Sequence, residues 1–350
     1  MRFLKNSLLA ALLFTIAIAE TNAQSGIFST KNRRNQYSTV GFGGGSSHYY
    51  GDLAPYRYFY YGIYTNVRWN GTINYTRYIS QQTGVRFSFT YARLLGDDNT
   101  YAIKNLDKMN RNYLRNLHFR NDVKEFAITG IFNLLPQYNK GAQGRLKFMP
   151  YVFAGLGIIG HNPQAKAPDA LGIKAWTSLK QYNTSGQLTT GGPKPYSLVQ
   201  PVLPIGLGIK IKLNEKIDFM MEAGLRLTNT HYLDDVGNVN YADPSSLLVP
   251  YSKEFANRAG EDIAARTGND RGAEYRNILT TYFSAPVSTG TTPSVDAVAN
   301  PTGTPPVAGR IGYGTAIPNR FGTRHADSYI VTQFTLNYVI GNQVKCPTIN

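Results

Sequence analysis

The chain alternates apolar residues with small or polar residues over one long stretch, residues 203–228. Between Leu203 and Leu213 the odd positions are apolar, and the even positions are proline, glycine or lysine. After the polar segment 214–216 the alternation continues to Thr228. Two alternating stretches joined by a short polar turn predict a β-hairpin. One apolar face opposite a face of glycines and isolated charges is typical of a barrel whose exterior contacts lipid and whose interior is filled by side chains.

Six further stretches carry the same alternation and bring the strand count to eight, at residues 37–47, 67–79, 85–92, 125–134, 148–159 and 329–340. Eight strands close the smallest usual membrane barrel. Long and short connections alternate along the chain, as they do when one rim of a barrel faces the periplasm and the other faces outward. The pattern therefore predicts an all-β fold, an eight-stranded antiparallel transmembrane β-barrel with long extracellular loops. Its location would be the cell outer membrane, with both termini periplasmic.

The last long connection, residues 231–325, is far longer than an ordinary loop, and loops of that length are functional or disordered. Its segment 252–283 is rich in Ala, Glu, Arg and Ile and predicts short helices, so this extracellular loop is expected to be partly helical. Its segment 284–318 is rich in Pro, Gly and Thr and predicts a flexible stretch. On the strands, we expect six apolar side chains to face lipid: Leu207, Ile209, Ile211, Phe219, Met221 and Leu336.

The first 23 residues have the pattern of a secretory signal peptide. A basic start is followed by an apolar segment, residues 8–19, and by the small-residue site Thr21-Asn22-Ala23. A dozen apolar residues are too few to cross about 30 Å of hydrocarbon, so we expect cleavage rather than anchoring. The mature chain is predicted to be residues 24–350, with 341–350 forming a periplasmic tail.

Composition agrees with a membrane barrel and limits the partners. The chain has 34 Gly, 25 Tyr and 17 Phe but one Cys, so it is aromatic and glycine-rich without a disulfide framework. Its formal net charge is +15. A basic chain suggests that the protein binds nucleic acid. The predicted secretory signal peptide argues against that function, and so does the absence of a basic helix or base-stacking motif in the sequence. Lipid phosphates of the outer membrane or an acidic periplasmic partner are the expected use of this charge.

Charged residues on the small or polar strand faces predict an ion network in the lumen, made of Arg86, Glu125, Lys210, Lys212, Asp218, Glu222 and Arg226. Such residues either line an ion path or neutralise one another. Because an eight-stranded barrel is only wide enough for side chains, we predict a mutually neutralising plug. The turn 214–216 pairs Lys212 with Asp218 on the lumen side, and we expect these two side chains to form an ion pair near the periplasmic rim.

A second group of titratable residues falls at the predicted outer rim: Asp97, Asp98, His231, Asp234 and Asp235. Paired acids with a histidine can activate water for hydrolysis, and several carboxylates can hold calcium. The simpler interpretation is that Asp residues cap strand ends and form turns. No serine or cysteine nucleophile motif lies nearby, so turn formation is the prediction. We assign no catalytic residue, no cofactor and no metal.

The single cysteine, Cys346, lies in the predicted periplasmic tail. It cannot form an internal disulfide. In an oxidising compartment an accessible lone thiol tends to be consumed, so one hypothesis is a disulfide to a periplasmic partner. The alternative hypothesis is a free cysteine without a role.

Five short motifs follow the outer ends of the strands in a fixed order. They are His48-Tyr49-Tyr50-Gly51-Asp52-Leu53, Gly96-Asp97-Asp98, His161-Asn162-Pro163, Tyr232-Leu233-Asp234-Asp235-Val236 and Tyr241-Ala242-Asp243. With the glycine-rich first strand, this combination resembles the PorG-like outer-membrane barrels of the Bacteroidota, over most of residues 37–345.

The resemblance implies a non-enzymatic outer-membrane barrel associated with the type IX protein secretion and gliding apparatus. Its partners would be a lipoprotein and a ring protein of the periplasmic ring, contacted through the short turns and the tail. The alternative function is a free-standing outer-membrane barrel whose extracellular loops bind a ligand or cation.

Overall fold

The structure is a computed structural model that describes residues 36–54, 65–136, 142–168, 171–172, 175–189, 191–237, 240–283 and 325–341. The predicted signal peptide, the 284–318 segment and the tail beyond residue 341 lie outside these residues.

Ten antiparallel strands form one sheet, and eight of them close into a barrel. The barrel strands are β1 Tyr37–Tyr50, β2 Arg68–Tyr78, β3 Thr83–Asp97, β4 His118–Asn133, β5 Phe148–Gly160, β8 Val199–Lys212, β9 Ile217–Thr228 and β10 Ser328–Gly341. Each pairs with the next, and β10 pairs with β1 from Tyr37 opposite Gly341 to Tyr50 opposite Ser328. The predicted eight-stranded antiparallel barrel is confirmed.

Two barrel strands, β3 and β4, extend furthest beyond the bounds that the sequence pattern indicated. The alternation predicted strands over 85–92 and 125–134, whereas β3 continues to Asp97 and β4 begins at His118. The added end of β3, residues 94–97, is buried on both faces and carries no period-two pattern. The added start of β4 does alternate, but its outward residues Arg120, Asp122 and Lys124 are charged rather than apolar, so the apolar pattern does not mark it. A short hairpin, β6 Pro163–Lys166 and β7 Trp176–Ser178, was not predicted and pairs with the start of β4. The sheet therefore extends beyond the barrel on one side.

Side chains alternate between the lumen and the exterior as the pattern predicted. Leu207 and Leu336 are 62% and 42% exposed, while their inward neighbours Gly208 and Asn337 are buried. The same alternation places the other expected lipid-facing residues outside: Ile209, Ile211, Phe219 and Met221. The exterior is an apolar band, because only such a surface is stable against hydrocarbon.

Glycines in β1 allow close approach where the barrel closes. A Cβ atom on Gly43 would overlap the Phe334 carbonyl oxygen of β10, and one on Gly45 would overlap that of Thr332. Any side chain at these positions would therefore push the two strands apart. The glycine-rich composition of this strand follows from that contact.

The connections fall into two classes at opposite ends of the barrel. The short ones are residues 79–82, 134–147 and 213–216, and the long ones are residues 51–67, 98–117, 161–198 and 229–327. The long ones contain the helices α1 Asp98–Ala102, α2 Leu106–Arg115, α3 Ser252–Ala256 and α4 Gly272–Phe283. Helices between 252 and 283 were predicted, whereas α1 and α2 were not. No helix in the described part of the chain is long and apolar enough to cross a bilayer.

The largest hydrophobic core lies at the long-loop end rather than inside the barrel. It joins strand ends such as Tyr329 to three long connections through Leu53, Leu114, Leu233 and Ile278. A smaller core packs the 161–198 connection against α3, through Leu179, Tyr182 and Phe255. The long connections are thus a packed structure over the barrel mouth, which we call the cap.

The exposure of Leu207 near the middle of β8 gives a direct test of the lipid-facing band. Leu207→Arg is expected to lower the free energy of unfolding in lipid vesicles by about 2–4 kcal/mol, because it places a cation near the bilayer midplane. Leu213→Arg is the matched control: Leu213 is 57% exposed at the short turn, where the same change costs about 0–1 kcal/mol. Reversible guanidinium titration followed by tryptophan fluorescence measures both. Equal effects at the two positions would contradict the assigned band.

Candidate functional site

Two ion pairs cross the middle of the lumen. Arg86 Nη1 of β3 lies 2.5 Å from Glu222 Oε1 of β9, and Tyr151 also donates a hydrogen bond to that carboxylate. Arg226 Nε lies 3.3 Å from Glu125 Oε2, which accepts a second bond of 2.7 Å from Tyr329. Four of the seven predicted network residues therefore form two cross-lumen pairs. Each charge is buried, so it is stabilised only while its partner is present.

The other three predicted network residues lie toward the short-turn end. Lys210 is buried and donates to the Tyr37 and Tyr78 hydroxyls, both at 3.3 Å, with its ammonium 4.3 Å from the Tyr78 ring centre. Lys212 and Asp218 are opposite each other in the ladder, as the register predicted.

The expected ion pair between Lys212 and Asp218 is wrong. Asp218 pairs with Arg145 at 3.1 Å, and Lys212 Nζ lies 2.7 Å from Glu215. Arg145 reaches the lumen from the 134–147 connection and also donates to the Asn214 and Glu215 carbonyls at 3.1 Å. Because the Arg145 guanidinium binds both the Asp218 carboxylate and the turn carbonyls, Lys212 pairs instead with Glu215 at the solvent edge.

The space that remains in the lumen is small. A cavity lined by Thr72, Arg86, Glu125, Glu222 and Arg226 has room for about one water molecule, about 10 Å³. The polar side chains around this cavity, among them Asn74, Thr129 and Gln333, are themselves buried, so side chains fill the barrel interior at this height, as is usual for eight strands.

The motif segments that follow the strands meet inside the cap. Arg115, fully buried at the end of α2, donates to both oxygens of Asp98 and to the Asp52 carbonyl, all at 2.7 Å. Asn121 donates to the Leu233 carbonyl at 2.7 Å and accepts from the Asn162 backbone at 2.9 Å. Segments far apart in sequence are therefore joined by the polar side chains of two residues.

Three carboxylates lie together at the centre of the cap, on Asp52, Asp234 and Asp327. One oxygen from each lies within 4.8 Å of the others, and the residues are 2%, 1% and 0% exposed. The Tyr49 hydroxyl donates to Asp327 Oδ1 at 2.9 Å and accepts from the Asp52 backbone at 3.2 Å. Asp234 Oδ1 accepts from the Val236 backbone, while Asp234 Oδ2 is enclosed without a hydrogen-bond partner among the described residues.

Burial and mutual repulsion make this cluster electrostatically costly. Burial, followed by repulsion from Asp52, raises the pKa of Asp234 well above its usual value. Burial, followed by repulsion from Asp234 and Asp52, does the same to the pKa of Asp327. Buried carboxylates this close must share protons or bind a cation. Oxygen ligands of this kind are those that Ca²⁺ prefers, so these three residues are the ones that could hold a metal.

The other predicted rim residues separate into distinct contacts. Asp97 pairs with Arg266 at 2.7 Å, and Asp98 with Arg115. Asp235 accepts hydrogen bonds from Thr184 and Tyr196 on the 161–198 connection. Of the rim set, Asp234 alone joins the carboxylate cluster; its backbone bond to Val236 is the turn contact that the sequence indicated.

Sequence reasoning missed four residues that organise these sites. Asp52 and Asp327 were not grouped with Asp234, and Arg115 and Arg145 were not assigned any role. All four lie in or beside connections, where no periodicity relates a residue to its spatial neighbours. The motif containing Asp52 was the one available signal for its importance. Cys346 lies outside the described residues.

A family profile described as a domain of unknown function (DUF6089) matches residues 23–167, and no curated protein matches the chain. The chain resembles the N-terminal β-barrel domain of OprF from Pseudomonas aeruginosa, with 8% identity and a TM-score of 0.29, over 88% of this chain and 98% of that one.

Two further solved structures show similarity at the same level. Neisserial surface protein A (NspA) has 10% identity and a TM-score of 0.29, over 56% of this chain and 86% of its own. Ail of Yersinia pestis has 12% identity and a TM-score of 0.28, over 56% and 90%. At these identities and TM-scores the similarity indicates no function for this chain. The fold assignment follows from the strand pairing of the chain itself.

The carboxylate cluster predicts a pH dependence of stability. An acid with a raised folded-state pKa binds its proton more tightly when folded, so stability is full below the unfolded pKa of about 3.9 and falls as pH rises toward the raised pKa. A tenfold difference in proton affinity between the folded and unfolded chain corresponds to about 1.4 kcal/mol. We expect the thermal midpoint in detergent to decrease as the pH rises from 4 to 8. The Asp234→Asn variant should make this decrease with pH smaller.

Asp107→Asn is the control for this measurement, because Asp107 is an exposed aspartate of the same cap. It should leave the pH profile unchanged. A wild-type profile that is flat, or a slope equal in Asp234→Asn and wild type, would contradict the predicted proton binding.

Proposed function

We propose that the protein is an outer-membrane β-barrel that acts as a non-conducting anchor rather than as a channel or an enzyme. The observation that carries this proposal is the filled lumen beneath a packed cap. The apolar exterior band supports insertion in a bilayer, because a closed barrel is the one β structure that satisfies every backbone polar group in lipid.

The lumen pairs argue against solute transport. The cross-section at mid-barrel is occupied by two ion pairs, Arg86 with Glu222 and Arg226 with Glu125. The two carboxylates are held in place by hydrogen bonds from Tyr151 and Tyr329. Opening a path would separate buried charges from their partners, which costs about 3–5 kcal/mol for each broken pair. The cap adds a second barrier at the long-loop end.

A barrel that carries nothing through its lumen acts through its surfaces. The short turns and the predicted periplasmic tail form one end, and the cap forms the other. Following the resemblance to PorG-like barrels, the finer proposal is that the short-turn end holds a periplasmic ring of a type IX secretion complex, through a lipoprotein and a ring protein. In a cell that glides, the same contact between the short-turn end and the periplasmic ring would contribute to gliding.

The closed lumen is tested by electrical recording. Purified protein in a planar lipid bilayer is expected to give no stepwise ion conductance, because the cross-lumen pairs leave space for about one water molecule. Insertion is checked in the same sample by heat-dependent migration on gel electrophoresis. Discrete channel openings from a folded, inserted barrel would contradict the non-conducting assignment.

The anchoring role is tested by photo-crosslinking in cells. A photoreactive amino acid at Glu215, in the turn between β8 and β9, is expected to form adducts with envelope proteins of defined mass. The same amino acid at Leu248, 85% exposed on the cap, is the matched control and should not form those adducts. Recovery of ring components from Glu215 supports type IX secretion. An absence of adducts at Glu215 and also at Gln81 of the first short turn would contradict the anchor.

The second candidate function is cation binding in the cap, and the enclosed Asp234 Oδ2 beside Asp52 and Asp327 favours it. Millimolar Ca²⁺ would then raise the thermal midpoint of wild type at pH 8 and leave that of Asp234→Asn unchanged, because a ligand that binds the folded state stabilises it. An identical midpoint with Ca²⁺ or with a chelator would remove this candidate.

A further inference from the structure

The outward face of β2, β3 and β4 changes character in successive rows toward the cap. The last fully apolar row across these strands consists of Ile73, Phe89 and Phe126, which are 61%, 43% and 49% exposed. Two residues further along, a distance of about 7 Å, the row consists of Gly71, Tyr91 and Lys124. Arg93 opposite Asp122 follows, and then Arg120. The apolar surface therefore gives way to aromatic and then charged side chains within two rows.

Aromatic rings hold the first arginine at this boundary. Trp69 stacks on Tyr91 with ring centres 5.3 Å apart, and the Arg93 guanidinium lies 5.7 Å from the Trp69 ring centre. Asp122 accepts two hydrogen bonds from Arg93, at 2.6 and 2.9 Å. This arrangement fixes a planar cation two rows beyond the last fully apolar row.

Arg120 is positioned in the same way, but Asp122 attracts it without forming an ion pair with it, because Asp122 pairs with Arg93. Its guanidinium lies 4.5 Å from the Trp176 ring centre on the β6–β7 hairpin, and its Nη2 donates to Gln164 at 2.7 Å. The Arg120 Nε donor is enclosed and makes no hydrogen bond within the described ranges. The ring and the amide hold the half-buried Arg120 guanidinium in a fixed orientation, which preorganises it for an anion.

The surrounding charges are unbalanced. Arg93 repels Arg120 while Asp122 attracts it, and Arg68 is repelled by Arg266 and Arg93 while Asp97 attracts it. Asp122 is occupied by Arg93, and Asp97 is occupied by Arg266. In the described parts of the chain, Arg68, Arg120 and Lys124 form no ion pair. Cations that repel one another on a surface are stabilised when an external anion binds between them.

We infer that this surface binds the phosphate groups of the phosphorylated glycolipid of the outer leaflet, lipopolysaccharide. The outer basic patch comprises Arg93, Arg120 and Lys124 with the rings of Trp69, Tyr91 and Trp176. This inference rests on the proposed function, which places the barrel in the outer membrane with the cap outside the cell. The apolar rows below contact the acyl chains, the rings lie at the interface, and the guanidinium groups meet the sugar phosphates, which Arg binds in a forked geometry.

The inference is tested by lipid binding to the full chain in detergent, counted by native mass spectrometry. The probes are phosphorylated lipid A, the same lipid A without phosphate, and phosphatidylglycerol. The patch variant combines Arg120→Gln with Lys124→Gln. The matched control combines Lys104→Gln with Lys108→Gln, which removes the same charge from exposed positions of the cap.

Wild type and control are expected to bind phosphorylated lipid A equally, and the patch variant on the order of tenfold more weakly, since each surface cation contributes to anionic-lipid attraction. Removing the phosphate should abolish the difference between variant and wild type. Equal affinity of the variant for phosphorylated lipid A would overturn the inference, as would equally strong wild-type binding of phosphatidylglycerol, which would indicate general anionic attraction.

Folding and insertion are checked separately by heat-dependent migration and by flotation with vesicles. A barrel that inserts but binds lipid A equally well with and without phosphate contradicts only the inferred lipid binding by the outer basic patch. A chain that does not insert contradicts the proposed function, so the two failures are distinguishable.

Discussion

Each barrel strand hydrogen-bonds to two neighbours, and the structure depends on the pairing of β1 with β10 that completes this ring. In hydrocarbon no water can satisfy a free strand edge, so an open sheet would be unstable there. Closure brings Gly43 and Gly45 against the β10 backbone and fixes which face of every strand points inward. The apolar exterior, the charged lumen and the two classes of connection all follow from that single geometric requirement.

Closure also forces charges into enclosed space, where each must be neutralised. In the lumen this is done by paired side chains, and Arg145 is recruited from a connection to pair with Asp218. In the cap, buried arginines bind carboxylates and backbone carbonyls, as Arg271 does with the Ala259 and Glu261 carbonyls at 2.9 Å. The cluster of Asp52, Asp234 and Asp327 differs because its neutralisation requires protons or a cation.

The sequence was most informative where one side of a residue faces lipid. Outward-facing residues such as Leu207 and Met221 occur at every second position of their strands, because lipid favours apolar side chains and the lumen favours small or polar ones. The number of strands, their register and the face on which each residue lies were therefore predictable. The cap-side ends of β3 and β4 were not predictable, because that part of β3 is buried on both faces and that part of β4 carries charged rather than apolar residues on its outward face. The pairing of Asp218 with Arg145, and the meeting of Asp52 with Asp327, depend on connections that no local pattern describes. The chemistry of the cap therefore required the structure.

The central claim is that the cap lies outside the cell and the short turns lie in the periplasm. In a Cys346→Ser background, which removes the single cysteine, Ile103→Cys marks the cap and Glu215→Cys marks a short turn. Ile103 is 55% exposed, and the Glu215 side chain is 64% exposed. A membrane-impermeant maleimide should label position 103 in intact cells and position 215 only after the outer membrane is permeabilised. Labelling of position 215 but not 103 in intact cells would contradict the account.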